Sequence, residues 1–359
     1  MSVQTEQFPL KRSPFRSILG QFIPYLVAVV FAFVAVGIFI GLMGFDVFKA
    51  YQTILFTSFR TPNGIIQTLL KFIPLMLQAL AFTIPLATGK FNIGGEGQMI
   101  VGGIGATAVG ILFADLPGYI LLPLVLLAGV IAGALWGLIP AWLLYKFNIN
   151  EILSTVLLNF VSFQMIDFIA SEVWKDPVAG HPTTIPIGEG GWLPLLVDNP
   201  PLHSGLILAI LVAIGVYIYT NRTTGGYELI ATGANPRASK VFGIDVQKMF
   251  LFALVLAGGI AGLSGVLEVS GYQHRLIKDF QSNFLVLGLI IGLIAKGNNL
   301  AVPFVAFFIA VLEVGASAMQ RTMAIPVEMV YIVEALVLLF VLLSDVVALR
   351  TLTRVRRRR

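Results

Sequence analysis

Long apolar runs separated by short polar segments make up most of this chain. A helix needs about 20 apolar residues to cross the hydrocarbon core of a membrane. Stretches of that kind lie near residues 18–42, 65–88, 92–113, 119–145, 152–172, 204–220, 250–270, 280–296, 301–317 and 327–344. The pattern therefore predicts an all-α, polytopic integral membrane protein with about ten transmembrane helices.

Two of these spans are too short to cross as regular helices. The third has about 15 continuous apolar residues, Met99 to Phe113, after the polar segment Phe91 to Gln98. The eighth has about 13, Phe284 to Lys296, after Asp279 to Asn283. At about 1.5 Å per residue, such runs reach at most about 22 Å, whereas the hydrocarbon core is about 30 Å thick. We therefore expect broken or short helices near the centre, which is typical of a transporter's central site.

The polar stretch from Thr220 to Met249 lies between two apolar runs and carries helix signals of its own. Asn235 is a good N-cap residue, and Pro236 follows it at the first helical position. Gly243 suits a left-handed stop. These signals predict a short helix from Pro236 to Phe242. Its apolar face consists of Ala238, Val241 and Phe242. Such a helix suits either docking of a soluble partner or an amphipathic helix lying on lipid.

Charge supports the membrane assignment and orients the chain. Only 11% of the residues are charged and the mean hydropathy is +0.92, whereas a soluble domain averages about 25% charged residues. With the N-terminus inside, most of the 23 Lys and Arg fall in inner segments, as the positive-inside rule requires. This distribution predicts cytosolic tails at 1–17 and 350–359, a transmembrane domain at 18–349, an outer loop at 173–203 and a cytosolic loop at 221–249.

The net charge of +5 does not require a nucleic-acid partner, because the basic residues fall in loops and tails. The basic tail at 350–359 is expected to attract anionic membrane lipid. The chain has no Cys, and its three histidines are far apart and lack metal-ligand spacing. No phosphate-binding G-x-x-x-x-G-K-[ST] loop is present. We therefore expect no cofactor, no metal and no enzyme activity in this chain; if ATP drives it, the ATPase is another polypeptide.

Two polar constellations are candidates for the solute pathway. In the segment Asn92 to Gln98, glycines free the backbone to approach a ligand, and the alternative is a cytosolic turn with a solvated Glu96. The fifth span carries a polar stripe at helical spacing, for which the alternative is helix–helix hydrogen bonding. The predicted pathway residues are Phe91, Asn92, Glu96, Gln98, Thr155, Asn159 and Ser162.

Four acids lie within or near the ends of spans: Asp167, Glu268, Glu313 and Glu334. A charge at the bilayer centre costs about 2.5–3.5 kcal/mol on insertion scales, so intramembrane acids often carry protons. They leave open an ion-coupled secondary transporter as an alternative. A membrane enzyme acting on lipid-linked substrate is disfavoured, because clustered polar loop residues are lacking.

Three segments together resemble a known family: FNIGGEGQM (91–99), NEILSTVLLNF (150–160) and ELIATGANPRASKVFGI (228–244). They are similar to the permease subunits of bacterial ABC importers for simple sugars, nucleosides and branched-chain amino acids, and most like the nucleoside branch. The resemblance runs from about the first span to the tenth. It implies a permease for nucleosides, with a simple sugar or a branched-chain amino acid as the alternative solute.

The resemblance also implies partners. In such permeases a G-x-N-P-x-A loop holds the coupling helix, which docks on a cytosolic ABC ATPase that binds ATP and Mg. The implied coupling residues here are Gly233, Asn235, Pro236, Arg237, Ala238, Lys240, Val241, Phe242 and Gly243. Ser239 and Lys240 depart from the usual pattern. A second homologous permease, an extracytoplasmic binding lipoprotein and a location in the bacterial cytoplasmic membrane are implied as well.

Overall fold

Helices form most of the described chain, and most of the connections between them are short; the long exception runs between Val173 and Gly205. The computed structural model describes residues 30–31, 33–278, 280, 283–323, 331–332, 335–336 and 339. The helices are α1 (Phe33–Leu42), α2 (Val47–Arg60), α3 (Pro62–Ala87), α4 (Gly95–Leu112), α5 (Gly118–Phe147), α6 (Glu151–Phe168), α7 (Gly205–Arg222), α8 (Thr224–Ala234), α9 (Pro236–Val241), α10 (Val246–Glu268), α11 (Phe284–Ile294) and α12 (Val302–Met323). π-helical turns continue α6 to Val173 and α10 to Gln273.

The chain divides into two compact units. One contains Ile54–Gly315 and holds every site discussed below. The other combines Met1–Thr53 with Ala316–Arg359. Within that second unit, the Tyr51 hydroxyl donates a hydrogen bond to the carbonyl oxygen of Phe33, and their rings are 5.5 Å apart.

The prediction of an all-α polytopic membrane protein is confirmed. Among the described residues, six helices are long and apolar enough to cross a membrane: α3, α5, α6, α7, α10 and α12, with α6 and α10 counted through their π-helical turns. Two shorter apolar helices, α1 and α11, accompany them. The count of about ten is not confirmed. Residues 18–29 of the first predicted span and most of the tenth, 327–344, lie outside the described residues.

Several helix boundaries differ from the sequence-based prediction. Helix α2 was not predicted, because Lys49, Gln52 and Arg60 break its apolar pattern. Helix α12 runs to Met323, beyond the predicted end at residue 317. The stretch from Thr220 to Met249 contains α8 as well as the predicted short helix, since the Thr223 hydroxyl caps α8 by accepting from the Gly226 amide at 3.1 Å.

The expectation of short helices is met by α11, which has 11 residues and is about 16 Å long. Helix α4 has 18 residues and begins at Gly95, after a non-helical segment at 90–94. The prediction of non-helical backbone before α4 is therefore correct, although the helix starts three residues earlier than expected from Gln98.

Glycines form the contact between α5 and α10. Gly133 and Gly137 of α5 face Gly258 and Gly262 of α10. A Cβ placed at Gly133 would lie 2.5 Å from the Gly258 carbonyl oxygen, and one at Gly137 would lie 2.8 Å from the Leu254 carbonyl oxygen. Small residues let membrane helices approach until their backbones touch. Helices α5 and α10 are thus held backbone to backbone.

Helix α4 joins this contact through further glycines. A Cβ on Gly129 of α5 would lie 2.8 Å from the Gly102 carbonyl oxygen of α4. A Cβ on Gly265 of α10 would overlap the Met99 carbonyl oxygen and lie 2.9 Å from the Gly103 amide nitrogen. A Cβ on Gly129 would also overlap the Val266 side chain, but rotating that side chain would not relieve the clashes with backbone atoms. The three helices form a glycine core, defined here as residues 102, 129, 133, 137, 258, 262 and 265.

The predicted outer loop, 173–203, is folded rather than irregular. Its residues pair with the segment after α10: the Thr184 amide donates to the Leu276 carbonyl oxygen, and the Ile187 amide donates to that of His274, each at 2.9 Å. Arg275 forms a 2.9 Å ion pair with Asp176. A two-stranded antiparallel sheet, β1 (Leu195–Val197) and β2 (Leu202–His203), completes the loop.

The close packing of the glycine core predicts that substituting Gly265 lowers the stability of the protein. Gly265→Ala should lower the unfolding temperature of the detergent-purified protein by several degrees, because overpacking a filled core costs about 1–3 kcal/mol. Thermal unfolding followed by size-exclusion chromatography measures the shift. Gly215→Ala on α7 is the control, since no atom lies within 4 Å of a Cβ there. Equal unfolding temperatures for both variants would contradict the backbone contact.

Candidate functional site

The entry to α4 is closed by a pair of side-chain amides. Asn92 Nδ2 donates to Gln98 Oε1 at 2.8 Å, and Gln98 Nε2 donates to Asn92 Oδ1 at 3.1 Å. Asn92 Oδ1 also accepts from the Gly94 amide at 3.1 Å. Gly94 is the N-cap of α4 and has no capping side chain. Asn92 Oδ1 thus binds the amide of the N-cap residue itself and not an amide of the first helical turn, which an ordinary N-cap side chain would bind.

A third amide, Asn159 of α6, ties this entry to a second helix. Its Oδ1 accepts from the Gly97 amide at 2.9 Å, and its Nδ2 donates to the Ile93 carbonyl oxygen at 2.7 Å. Two other members of the predicted stripe bond within α6: Ser162 to the Asn159 carbonyl oxygen at 2.7 Å and Thr155 to that of Glu151 at 2.6 Å. The stripe thus makes both helix–helix and intrahelical hydrogen bonds.

The start of α4 also meets α3 and α11. Gln78 Nε2 of α3 donates to the Gly95 carbonyl oxygen at 3.4 Å, and the backbone of Leu285 hydrogen-bonds to the Glu96 carboxylate. Gln78 Oε1 is buried without a hydrogen-bond partner among the described residues, as is Trp136 Nε1 of α5. Sequence reasoning missed Gln78, although a lone Gln in the apolar run of α3 was the available signal.

The predicted pathway residues differ in exposure. Asn92, Gln98, Thr155, Asn159 and Ser162 are buried. Glu96 is half-buried. Phe91 is the most open of the set, with 37% of its surface exposed, and its ring lies 6.1 Å from that of Phe82. The three amides among the buried residues therefore hold the α4 entry in place, whereas Phe91 is available for contact.

The short helix predicted from Asn235, Pro236 and Gly243 is confirmed. Helix α9 begins at Pro236, and Asn235 Oδ1 accepts from the Ala238 amide at 3.1 Å. It ends at Val241, one residue before the predicted end, and Gly243 follows with a left-handed φ of 86°. Local capping chemistry alone fixes this helix.

The apolar end of α9 projects away from the protein. Val241 and Phe242 are 85% and 84% exposed. Ala238 is half-buried, while Ser239 is buried against the rest of the chain. Large apolar side chains this exposed on a capped helix mark a surface for interaction.

Gly233 connects this region to the α4 entry. A Cβ at Gly233 would overlap the Ala87 carbonyl oxygen at the end of α3 and lie 3.0 Å from the Thr88 carbonyl carbon. Gly89 follows with a φ of 78°, and a Cβ there would lie 3.8 Å from the Gly233 Cα. The chain then enters the 90–94 segment, so the end of α8 abuts the backbone that leads to Phe91.

The acids that suggested ion coupling have varied surroundings. Asp167 forms a 3.0 Å ion pair with Lys278, and both side chains are more than a third exposed. Glu268 at the end of α10 interacts electrostatically with Lys71 of α3. Glu313 is half-buried on α12, and Glu334 lies outside the described residues. Across the residues that the structure covers, no group of three His, Cys, Asp or Glu is placed to hold a metal ion.

Two histidines, His203 and His274, lie close together where the 173–203 loop meets the segment after α10. The Trp192 ring stacks on His274 with centroids 4.0 Å apart. His203 is 4% exposed, and Cβ atoms at Gly205 and Gly271 would lie 2.6 and 2.5 Å from its Nδ1. Burial lowers the pKa of His203 to about 4, and the nearby His274 adds to the effect. His203 is therefore held neutral.

Comparisons with known proteins identify relatives of this chain. The family model described as "Branched-chain amino acid transport system / permease component" matches residues 64–342. The glucose ABC transporter permease protein TsgB13 of Haloferax volcanii is 31% identical over 86% of this chain and 84% of its own. The guanosine ABC transporter permease protein NupP of Bacillus subtilis is 32% identical, covering 88% and 91%. The nucleoside ABC transporter permease protein NupB of Lactococcus lactis is 29% identical, covering 90% and 91%.

The buried His203 predicts a pH-dependent stability. Its ordinary pKa is 6.5 and its folded-state pKa is about 4, so the unfolded chain takes up a proton first as the pH falls. Stability should be complete above about pH 6.5 and decline towards pH 4, by up to roughly 3 kcal/mol. Unfolding temperatures across this range measure it. His203→Gln should flatten the profile, and the exposed His181→Gln should not; identical profiles for the two would contradict the assignment.

Proposed function

The chain belongs to the family of permease components of branched-chain amino acid transport systems, and we propose that it is the membrane-spanning subunit of an ATP-driven importer for nucleosides. The observation that carries this proposal is α9, a capped helix with an exposed apolar end. It follows α8, whose Gly233 packs against the end of α3, just before the segment that leads into α4. A helix so placed can receive force from a soluble partner and pass it to the membrane domain.

The solute is proposed from the relatives. Two of them are named as nucleoside and guanosine permeases, at 29% and 32% identity over at least 88% of this chain. A simple sugar is the second candidate, favoured by the 31% identity to a glucose permease. A nucleoside presents an aromatic base, and an apolar or aromatic wall with a few polar groups suits it.

Coupling to ATP is proposed to run through α9. Val241 and Phe242 would enter a groove on a separate cytosolic ATPase, which binds ATP and Mg and supplies the energy. Gly243 would complete the docking surface, and Arg237 and Lys240 would border it. Binding of the two ATPase subunits to the coupling helices would shift the permease between a conformation open to the inside and one open to the outside.

The remaining partners follow from this arrangement. A second, homologous permease would complete the pathway, and an extracytoplasmic binding protein would deliver solute to the face formed by residues 173–203. The folded, hydrogen-bonded state of that loop supports a role as a docking platform. The distribution of Lys and Arg supports a cytoplasmic membrane location with both termini in the cytosol.

The α4 entry is proposed to border the pathway. Asn92, Gln98 and Asn159 would position the backbone, together with Glu96, Thr155 and Ser162, and Phe91 would contact the solute. This division of roles rests on exposure, since Phe91 is 37% exposed while the amides are at most 6% exposed.

Docking can be tested by co-purification with the ATPase subunit. Phe242→Asp should weaken ATPase retention roughly 30-fold, because a central apolar anchor contributes about 2 kcal/mol or more to an interface. Val178→Asp is the control, since Val178 is an equally exposed apolar residue in the predicted outer loop. Equal retention by both variants would remove α9 from the interface.

Uptake of labelled guanosine in cells that carry the partner subunits tests the solute and its contact residue. Uptake should stop on ATP depletion and survive collapse of the proton gradient; the reverse would favour the ion-coupled transporter. Phe91→Ala should raise the KM several-fold with little change in maximal rate. Phe304→Ala, an exposed aromatic of α12, is the control. Competition by glucose, but not by nucleosides, would shift the assignment to sugars.

A further inference from the structure

A basic cavity lies beside α9, at the ends of two membrane-spanning helices. Its volume is about 290 Å³, near the lower end of the roughly 300–1,000 Å³ typical of small-ligand clefts. Three cations line it: Lys90, Arg237 and Lys240. Leu144 of α5 and Phe250 of α10 provide an apolar wall. We call it the basic pocket.

The charge in the basic pocket is not balanced by the protein. None of its lining residues is acidic. Lys90 forms a 3.3 Å ion pair with Glu151, so the charge of the Glu151 carboxylate is already neutralised by Lys90. The neighbouring Asp245 is paired with Lys248 at 3.1 Å. Arg237 and Lys240 have no ion pair within 4 Å among the described residues, so the pocket carries an excess of positive charge.

Helix α9 presents its cations next to its apolar end. At 100° per residue, Pro236, Arg237 and Lys240 fall within one arc of about 100°. Val241 lies about 40° beyond this arc, and Val241 and Phe242 are both highly exposed. The basic arc lines the pocket, whereas Val241 and Phe242 do not. An occupant of the pocket therefore leaves the apolar end of α9 exposed.

The pocket lies where two helices that are long enough to span a membrane end, which is where lipid headgroups would meet them. Helix α5 ends at Phe147 and α10 begins at Val246, and both are long enough to span a membrane. Lys146 stands 5.1 Å from the Trp142 ring centroid and 5.6 Å from that of Phe147, a combination of cation and aromatics that is enriched at membrane interfaces. A ligand here meets cations on one side and hydrocarbon on the other.

We propose that the basic pocket binds the phosphate of an anionic phospholipid headgroup. Arg237 and Lys240 hold the phosphate, and Lys90, which also stacks 5.0 Å over the Phe250 ring, borders it. The apolar wall of Leu144 and Phe250 accommodates the glycerol and the first acyl carbons. Basic pockets between membrane helices are a recognised setting for such headgroups. An occupied pocket fixes the orientation of α9 whether or not an ATPase is present.

Lipid binding to the purified permease alone tests this proposal. The protein is placed in nanodiscs of phosphatidylcholine, with or without phosphatidylglycerol, and bound phosphatidylglycerol is counted by native mass spectrometry. The double variant R237Q/K240Q should lose affinity for phosphatidylglycerol roughly 25-fold, since each cation near an anionic surface contributes about 1 kcal/mol, or fivefold. K248Q is the matched control, because Lys248 is 69% exposed on the same segment and does not line the pocket.

Thermal unfolding of the same samples provides the second readout. Phosphatidylglycerol should raise the unfolding temperature of the wild type and K248Q but not that of R237Q/K240Q. All three should unfold at the same temperature in phosphatidylcholine, which shows that the variants fold. An equal response of all three proteins to phosphatidylglycerol would overturn the proposal.

Two further measurements distinguish a phospholipid from other occupants of the basic pocket. Stabilisation by inorganic phosphate in phosphatidylcholine discs would show a site for a soluble anion and would overturn the lipid assignment. Lipid binding that is unaffected by R237Q/K240Q, together with loss of ATPase retention, would assign both cations to the ATPase interface instead. Because the lipid assays contain no ATPase, their failure does not bear on the proposed function.

Discussion

The fold depends on direct backbone contact among α4, α5 and α10. In a membrane the lipid is as apolar as the side chains, so close van der Waals packing must hold the helices together. The positions of the glycine core have no side chains to keep the helices apart, and a Cβ added at any of them would meet backbone atoms of a neighbouring helix. This contact fixes where α4 begins, and therefore where its non-helical entry lies. The remaining helices arrange polar groups around that fixed point.

A few polar side chains make the hydrogen bonds at the α4 entry. The first turn of a helix has backbone amides that need partners. Asn159 accepts from the Gly97 amide, and Asn92 accepts from the Gly94 amide. Gln98 holds Asn92 in place, and each of the three carboxamides both donates and accepts. The same side chains that look like solute ligands in the sequence are thus occupied in holding the backbone. Phe91 remains exposed because it takes no part in this network.

Local chemistry could be predicted from the sequence, and long-range pairing could not. The cap, proline and glycine of α9 lie within nine residues, so they specify that helix by themselves. Short apolar runs likewise revealed the non-helical entry to α4. Helix α8 was hidden by its glycines, and the folded outer loop depends on bonds from Thr184 to Leu276, about ninety residues away. The basic pocket was invisible because Lys90 reaches it from a different segment than Arg237 and Lys240.

Gly233 rests its backbone against that of Ala87, with no side chain between them. Side chains at an interface can change rotamer and absorb a small displacement, whereas two touching backbones cannot. Helices α8 and α9 are joined at Asn235, so a displacement of α9 would reach the end of α3 through Gly233 of α8. The contact between Gly233 and Ala87 has no side chain that could absorb part of such a displacement.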